Sequence, residues 1–342
     1  MMEKFRVLSD LHVDINERYP LELKDKDVFT VICGDMGGET EMGIDWIRKN
    51  VRRGIIVNGN HMPYRNTYER PVKDHKTMTE FREWLRSEFP IDGDISYLDA
   101  EIGDFRKEVD GILFMGSCFY SNFRIKEPTW NPSGDKRLNM KCSEYNMNDY
   151  RFGYTGRSFP AGADNEPSMK RMTAEDLEGW FSNAFSKFDK ALDENEASAN
   201  PKPVVVVTHY PLVADYLSHN YYVKSPNSIY SQLEFNWSSY ASDAKAWLKR
   251  HKSIKAACSG HIHDVENGYR YYSVRRKGGD DLLLVHNVRG YVSEGHDRWF
   301  NAETFVDTKT WTCFETPPTE EEEKTKKEEA GRRLARRLAW GI

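Results

Sequence analysis

An α/β fold is predicted by three features of the sequence. Short apolar runs rich in β-branched residues recur along the chain. Helical patterns lie between several of them. Each run is followed, at once or one residue on, by Gly, Asn, Asp, Ser or His. Such runs read as buried strands, and in sheets of this class ligands sit beyond the carboxyl ends of the strands.

Taken in order, the first run is Phe5–Leu8, which ends on Ser9-Asp10-Leu-His12. Val28–Cys33 ends on Gly34-Asp35. Thr40–Val51 places Ile44, Ile47 and Val51 on one helical face. Ile55–Val57 leads to Gly59-Asn60-His61. Thr77–Glu88 has a helical pattern with Phe81, Trp84, Leu85 and, just beyond, Phe89. Ile112–Met115 is the next strand. Thr173–Leu192 opens on Thr173-Ala-Glu-Asp176, the pattern of a capping box. Val204–Val207 ends on Thr208-His209. A helix over Tyr240–His251 leads into Ile254–Cys258, which ends on Ser259-Gly260-His261-Ile-His263. Leu282–Val285 is the last such run.

Two stretches, 119–168 and 212–239, lack strong periodicity. The second holds Tyr216, Tyr221, Tyr230, Phe235 and Trp237, so it reads as a lid or pocket wall, or equally as a surface excursion with its own small core. Residues 1–318 read as one domain with these two insertions. Residues 319–342 change composition, from four glutamates to an Arg-rich end with Leu334 and Leu338 four apart, and read as a charged helical tail.

The chain of 342 residues is 39% hydrophobic and 30% charged, enough to bury a core and stay in solution. Its 49 basic and 54 acidic residues give a net charge of −5, which disfavours nucleic acid or an anionic membrane as the main partner. Cys33, Cys118, Cys142, Cys258 and Cys313 are odd in number and never close-paired, as expected of buried thiols in a reducing compartment. The first apolar run begins at Phe5, leaving no room for a signal peptide, and no apolar stretch reaches the length of a membrane span. A cytoplasmic protein is the expectation.

The chemistry lies in five pieces: Asp10 with His12, Asp35, Asn60 with His61, His209, and His261 with His263. Two imidazoles one residue apart can share a metal site if the backbone turns sharply at Gly260. A lone buried histidine is usually just hydrogen-bonded, but five such pieces, each behind a strand-like run, are another matter. Carboxylates, an amide oxygen and imidazoles suit two first-row ions such as Mn, Fe, Co, Ni or Zn. No cysteine belongs to the set, so a structural zinc site is disfavoured. Asp35 is the natural carboxylate to bridge two ions about 3.5–4 Å apart.

Asp10-Leu-His12, Gly34-Asp35, Gly59-Asn60-His61, His209 and Gly260-His261-Ile-His263 resemble, in order, the five motifs of calcineurin-like metallophosphoesterases. Met147-Asn-Asp-Tyr-Arg151, Ser242-Asp243 and Asn287-Val-Arg-Gly-Tyr291 are similar to a branch of small cytosolic members whose substrates are mostly unassigned. The likeness runs over about residues 4 to 300. It implies a two-sheet β-sandwich flanked by helices in four layers, with a dinuclear metal site at the strand ends. By that resemblance Asp10, His12, Asp35 and His263 hold one ion, and Asp35, Asn60, His209 and His261 the other. A bridging hydroxide attacks in line, and His61 protonates the leaving oxygen or steadies the phosphoryl charge. The substrate is a phosphomonoester or phosphodiester, of a nucleotide or another small molecule. Tyr64, Arg151, Tyr210 and Arg289 are candidate substrate contacts. The chain departs from the family pattern at Gly38 and Met62, where many members carry acids, and at Tyr210, where a second histidine often stands. Two alternatives remain: a nuclease of the same core, which salt dependence of nucleic-acid binding discriminates, and a metal-binding scaffold without turnover, which metal content alongside activity discriminates.

Overall fold

The computed structural model describes residues 2–38, 40–64, 75–126, 131–158, 168–224, 237–278 and 280–316. The charged tail expected over 319–342 lies outside them, as do parts of both insertions. Two large sheets form the centre. In the first, β1 (Lys4–Leu8), β2 (Thr30–Ile32), β3 (Gly54–Ile56) and β4 (Ile95–Tyr97) run parallel in chain order. The antiparallel strands β13 (Thr304–Asp307) and β14 (Thr312–Glu315) extend it beyond β1. In the second, β12 (Leu282–Val285), β10 (Ile254–Cys258), β9 (Val204–Thr208) and β6 (Ile112–Ser117) are parallel. Antiparallel β11 (Tyr271–Val274) and β5 (Arg106–Val109) form its edges. A small ribbon pairs β7 (Tyr154–Ser158) with β8 (Ser168–Arg171).

The alternation of side chains along each strand builds the layers. Phe5, Val7, Val31, Ile55, Phe114, Val205, Val207, Leu283 and Val285 form one buried cluster between the sheets. Their neighbours Leu8, Ile32 and Ile56 turn the other way, onto α1 (Thr40–Asn50) and α2 (Met78–Glu88), through Ile44, Ile47, Phe81 and Leu85. Val204, Val206, Leu282 and Leu284 turn outward on the second sheet, onto α5 (Ala174–Ala197) and α8 (Lys245–Arg250). Both faces of the parallel strands are therefore apolar, which is why they read as continuous runs. Two capping boxes start the outer helices, Thr77 with Glu80 and Thr173 with Asp176, each satisfying backbone N–H groups the helix leaves over.

The helices differ from the sequence reading before β10 and in both insertions. The helix expected over Tyr240–His251 covers only Lys245–Arg250. Ahead of it, the Ser242 and Ala244 N–H groups donate to Pro211 and Leu212, and the Ser242 hydroxyl accepts from Asn122 N–H at 3.0 Å. That stretch is committed to neighbouring chain, not to a helical ladder. The insertion 119–168 contains two helices, α3 (Lys136–Asn146), N-capped by Asp135, and α4 (Asp149–Phe152). Between them they bury Asn139, Ser143, Asp149 and Tyr150, so no apolar period marks them. The insertion 212–239 contributes two single-turn helices, α6 (Asp215–Ser218) and α7 (Tyr221–Lys224).

Phe114 sits fully buried between the sheets, edge-on to Phe5 at 5.7 Å and against Phe29 at 5.1 Å between ring centroids. Phe114→Ala is expected to cost ~3–5 kcal/mol, the range for an aromatic ring removed from a core that cannot collapse. Denaturant unfolding should show a lower midpoint at unchanged slope; a loss under about 1 kcal/mol would mean that the sheets close over the gap.

Candidate metal centre and active site

Each sequence-predicted ligand leaves the carboxyl end of a parallel strand. Asp10 and His12 follow β1, Asp35 follows β2, Asn60 and His61 follow β3, His209 follows β9, and His261 and His263 follow β10. The two sheets present their strand ends to one place. Asp10 (φ 51°), His12 (φ 42°), Asp35 (φ 47°) and His261 (φ 73°) all adopt left-handed backbone. That conformation costs a non-glycine residue of order 1–3 kcal/mol and persists only where the surroundings impose it. Four such residues at one site mark a backbone shaped to aim side chains.

Glycines permit the approach. A Cβ on Gly59 would run into the Asp35 carboxylate, and one on Gly260 into Ser9 Oγ and Asp10 Oδ2. The turn at Gly260 lets His261 N–H donate to Asp10 Oδ2 at 2.9 Å, alongside the Ser9 hydroxyl at 2.6 Å. Asp35 Oδ1 likewise accepts from His61 N–H at 3.0 Å. Each carboxylate thus keeps a second oxygen pointing inward.

Two constellations result. In the first, Asp10 Oδ1 lies 3.2 Å from His263 Nε2 and 3.9 Å from His12 Nε2. In the second, His209 Nε2 lies 2.9 Å from Asn60 Oδ1 and 3.3 Å from Asp35 Oδ2. One ligand atom from each of Asp10, His12 and His263, or from each of Asp10, Asp35 and His209, falls within 4.8 Å of the others. His12, Asp35 and His61 form a third such group. The tautomers are set from behind: His209 Nδ1–H donates to the Cys33 carbonyl at 2.8 Å, leaving Nε2 to face the cluster. His263 Nδ1 lies 3.1 Å from His296 Nδ1, which itself accepts from Tyr291 N–H at 3.2 Å. His296 thus holds His263 from behind, with His263 Nε2 facing the site.

The donor set fits divalent ions. Both ring nitrogens of His12, His261 Nε2 and Asp35 Oδ2 are buried with no hydrogen-bond partner, a costly state for polar atoms. Electrostatics say the same. Burial alone would lower the His209 pKa, but the Asp35 carboxylate beside it raises it to about 9. A proton there stands where a cation would. Burial would raise the acids, yet Asp10 is held well below the carboxylate range by His263, His209 and His12, and Asp35 by His209, His61 and His12. Burial lowers His12 to about 3 and drives His261 well down, so both remain neutral, as metal ligands must.

A cavity of about 270 Å³ opens on this cluster. Asp35, Asn60, His61, His261 and His263 form its floor. The His61 ring is half-buried there, with both ring nitrogens 3.5 Å from the Tyr291 hydroxyl. The opposite wall carries Asn146, Met147, Asn148, Leu217, Asn220 and Val223, all from the two insertions.

The four proposed substrate contacts fall in different places. Tyr64 lines the cavity, but its hydroxyl donates to Asp149 Oδ2 at 2.8 Å. Tyr210 is buried; its hydroxyl donates to Asp149 Oδ1 at 3.2 Å and its ring stacks on His261 at 4.0 Å. Arg151 is exposed and points away, its guanidinium 3.5 Å from the Tyr145 carbonyl. It stands on the outer side of the short helix whose inner residue is Asp149. Arg289 is buried, and its guanidinium donates to the carbonyls of Leu11 and Tyr19. Its backbone N–H donates to Ser9 at 3.0 Å. It braces the left-handed Asp10–His12 turn and is committed there, away from any phosphate.

Sequence reasoning missed three residues that support the site. Asp149 is described below. His296 orients His263. His286 is buried against Tyr216 at 4.3 Å, 3.1 Å from Ser259 Oγ and 2.8 Å from the Ile262 carbonyl, so it holds the Gly260–His263 loop from beneath. Asn287-Val-Arg-Gly-Tyr291 was the nearest signal for two of them, since His286 precedes it and His296 follows it.

No protein-family model and no curated protein matches the chain. The fold has a solved counterpart. It is similar to that of the phosphopantetheinyl hydrolase (PptH) from Mycobacterium tuberculosis, with a TM-score of 0.56 over 94% of this chain and 98% of that one. At 15% sequence identity the likeness is one of fold. Among the described residues no helix is long and apolar enough to cross a membrane, and the five cysteines are free thiols.

Gly59→Ala is expected to lower the melting temperature and to weaken metal binding, because the new methyl group meets both the Asp35 carboxylate and the Asp35 backbone nitrogen. Circular dichroism and metal analysis after dialysis check both halves; full metal content in a folded variant would show that the close approach at Gly59 is dispensable.

Proposed function

We propose that this protein is a metal-dependent phosphoester hydrolase acting on a small-molecule phosphomonoester or phosphodiester. The observation that carries the proposal is the convergence of seven donor side chains, Asp10, His12, Asp35, Asn60, His209, His261 and His263, from the ends of both sheets onto one cluster, of which Asp35, Asn60, His261 and His263 line the cavity. Asp10, His12, Asp35 and His263 would hold one divalent ion, and Asp35, Asn60, His209 and His261 the other. Bound there, two such ions neutralise phosphoryl oxygens and acidify a water. Mn, Fe, Co, Ni and Zn all suit the donors.

The chain's own residues do the rest. Asp35 presents an unpartnered oxygen toward both halves of the site, which suits it to bridge. His61 reaches the cavity from the side, where it can protonate the leaving oxygen, with the Tyr291 hydroxyl beside it. The organic part of the substrate faces the amides of Asn146, Asn148 and Asn220 and the apolar side chains of Met147, Leu217 and Val223. Among the described residues the cavity is lined by neither Lys nor Arg. A neutral, hydrogen-bonding substituent suits that wall better than a polyphosphate or a nucleic-acid backbone. The fold neighbour is named for a phosphopantetheinyl group, which joins a phosphate to an arm bearing neutral amides, so such compounds belong in the first test.

Purified protein loaded with Mn should hydrolyse a generic aryl phosphate or phosphodiester, and should prefer substrates with neutral amide-bearing substituents over nucleotides of equal charge. Two bound ions per chain with no turnover across such a panel would favour a non-catalytic scaffold. Asp35→Asn should lose at least one ion per chain, and two full equivalents in that variant would sink the bridging assignment. His61→Asn should keep both ions while kcat falls ~10²–10⁴-fold, the usual contribution of a general acid. Loss of an ion in His61→Asn would instead make His61 a ligand with His12 and Asp35.

A further inference from the structure

Asp149 is buried without any exposure, on the first turn of α4 within the insertion 119–168, yet it lines the cavity. Its partners given by the structure are three neutral donors. Tyr210 Oη–H reaches Oδ1 at 3.2 Å. Tyr64 Oη–H reaches Oδ2 at 2.8 Å, and the Asn60 amide Nδ2 approaches the same oxygen at 3.4 Å. The Asn60 amide also donates to Tyr64 Oη at 2.9 Å. Both Nδ2 hydrogens of Asn60 are therefore drawn to one side, toward Tyr64 and Asp149.

That fixes the other side. With Nδ2 committed, Oδ1 must face His209 Nε2, 2.9 Å away, and the unpartnered Asp35 Oδ2. An asparagine amide is nearly symmetric in shape, so only its hydrogen-bond partners decide which end faces the site. The wrong end would aim two N–H groups at a cation. A carboxylate buried among neutral donors alone is also costly, and a positive ion held by Asn60 would offset its charge.

We infer that Asp149, acting through Tyr64, is a positioning residue that locks the Asn60 amide with its oxygen toward the second metal position, so that the insertion completes the metal centre. This rests on the proposed metal-dependent function. It gives Tyr64 and Tyr210 a role in the site without substrate contact. Tyr210 serves twice, since its ring also stacks on His261, a ligand proposed for the same ion.

The test measures metal affinity and the visible spectrum of the Co(II)-loaded protein, beside the thermal melt of the metal-free protein. Asp149→Asn should melt near the wild type and bind one of its two ions ~10–100-fold more weakly, the usual effect of losing a partner behind a ligand. The Co(II) spectrum should report one altered site, and Asp149→Glu should recover part of the loss. Tyr64→Phe keeps the ring and removes only the relaying hydroxyl, so it should shift the same ion in the same direction. If Asp149→Asn does not fold, Tyr64→Phe decides alone. Two ions bound with wild-type affinity and an unchanged spectrum in Tyr64→Phe would overturn the inference. A wild-type protein that binds no ion would overturn the proposed function first, and this inference with it.

Discussion

The two sheets are held in register at their functional end by a handful of buried polar contacts that cross from one sheet to the other. Asp10, from β1, accepts the His261 N–H and meets His263, both beyond β10. His209, from β9, donates to the Cys33 carbonyl at the end of β2 and meets Asn60 beyond β3. The backbone joins in: Ser9 pairs with Val288 as an isolated bridge between the extensions of β1 and β12. Apolar packing between sheets is non-directional and fixes little about their relative shift. These contacts are directional, and they tie the relative shift of the sheets to the geometry of the site.

The same contacts explain why the site is strained and charged. Four proposed ligands sit in left-handed backbone, held by glycines that admit the carboxylates and by Arg289 and Asn16 bracing the first loop. Buried carboxylates and imidazoles with unmet hydrogen-bonding capacity are expensive unless a cation completes them. In this structure His209 Nε2 lies 3.3 Å from the Asp35 carboxylate. Strain and unmet polar groups at a single point suit a site that could hold a metal ion.

Much of this was legible in the sequence, for a physical reason. Strands buried on both faces leave unbroken apolar runs, and the motif residues follow them, so β1, β2, β3, β9 and β10 and the cluster of acids, amide and imidazoles at their ends could be read from the sequence; which of these would hold which ion came from the family resemblance. The edge strands could not. Arg106–Val109 and Thr312–Glu315 alternate with charged or exposed residues and pair on one side only. The helices of the insertion were equally hidden, because α3 turns Asn139 and Ser143 inward, where Asn139 bonds the Phe123 carbonyl and Ser238 Oγ. A helix packed through polar side chains has no hydrophobic period. Arg151 and Arg289 show how little sequence proximity says about placement: near motifs in sequence, one side chain is exposed and the other donates to loop carbonyls. Asp149 lay within a quoted stretch, but its role depends on Tyr64 and Tyr210, which are distant in sequence and near only in the fold.

The insertions turn a common scaffold into a particular site. Sheets of this topology supply the floor, while the wall of amides and apolar groups, and the carboxylate behind Asn60, come from chain added between strands. Substrate choice should therefore lie in those segments and metal chemistry in the strand ends. The central claim is that the strand ends hold two ions side by side. Anomalous diffraction from crystals of the Mn-loaded protein, collected at the metal edge, tests it most directly. Two peaks on the cavity floor are predicted, one among Asp10, His12, Asp35 and His263, the other among Asp35, Asn60, His209 and His261. A single peak, or none within reach of Asp35, would contradict it.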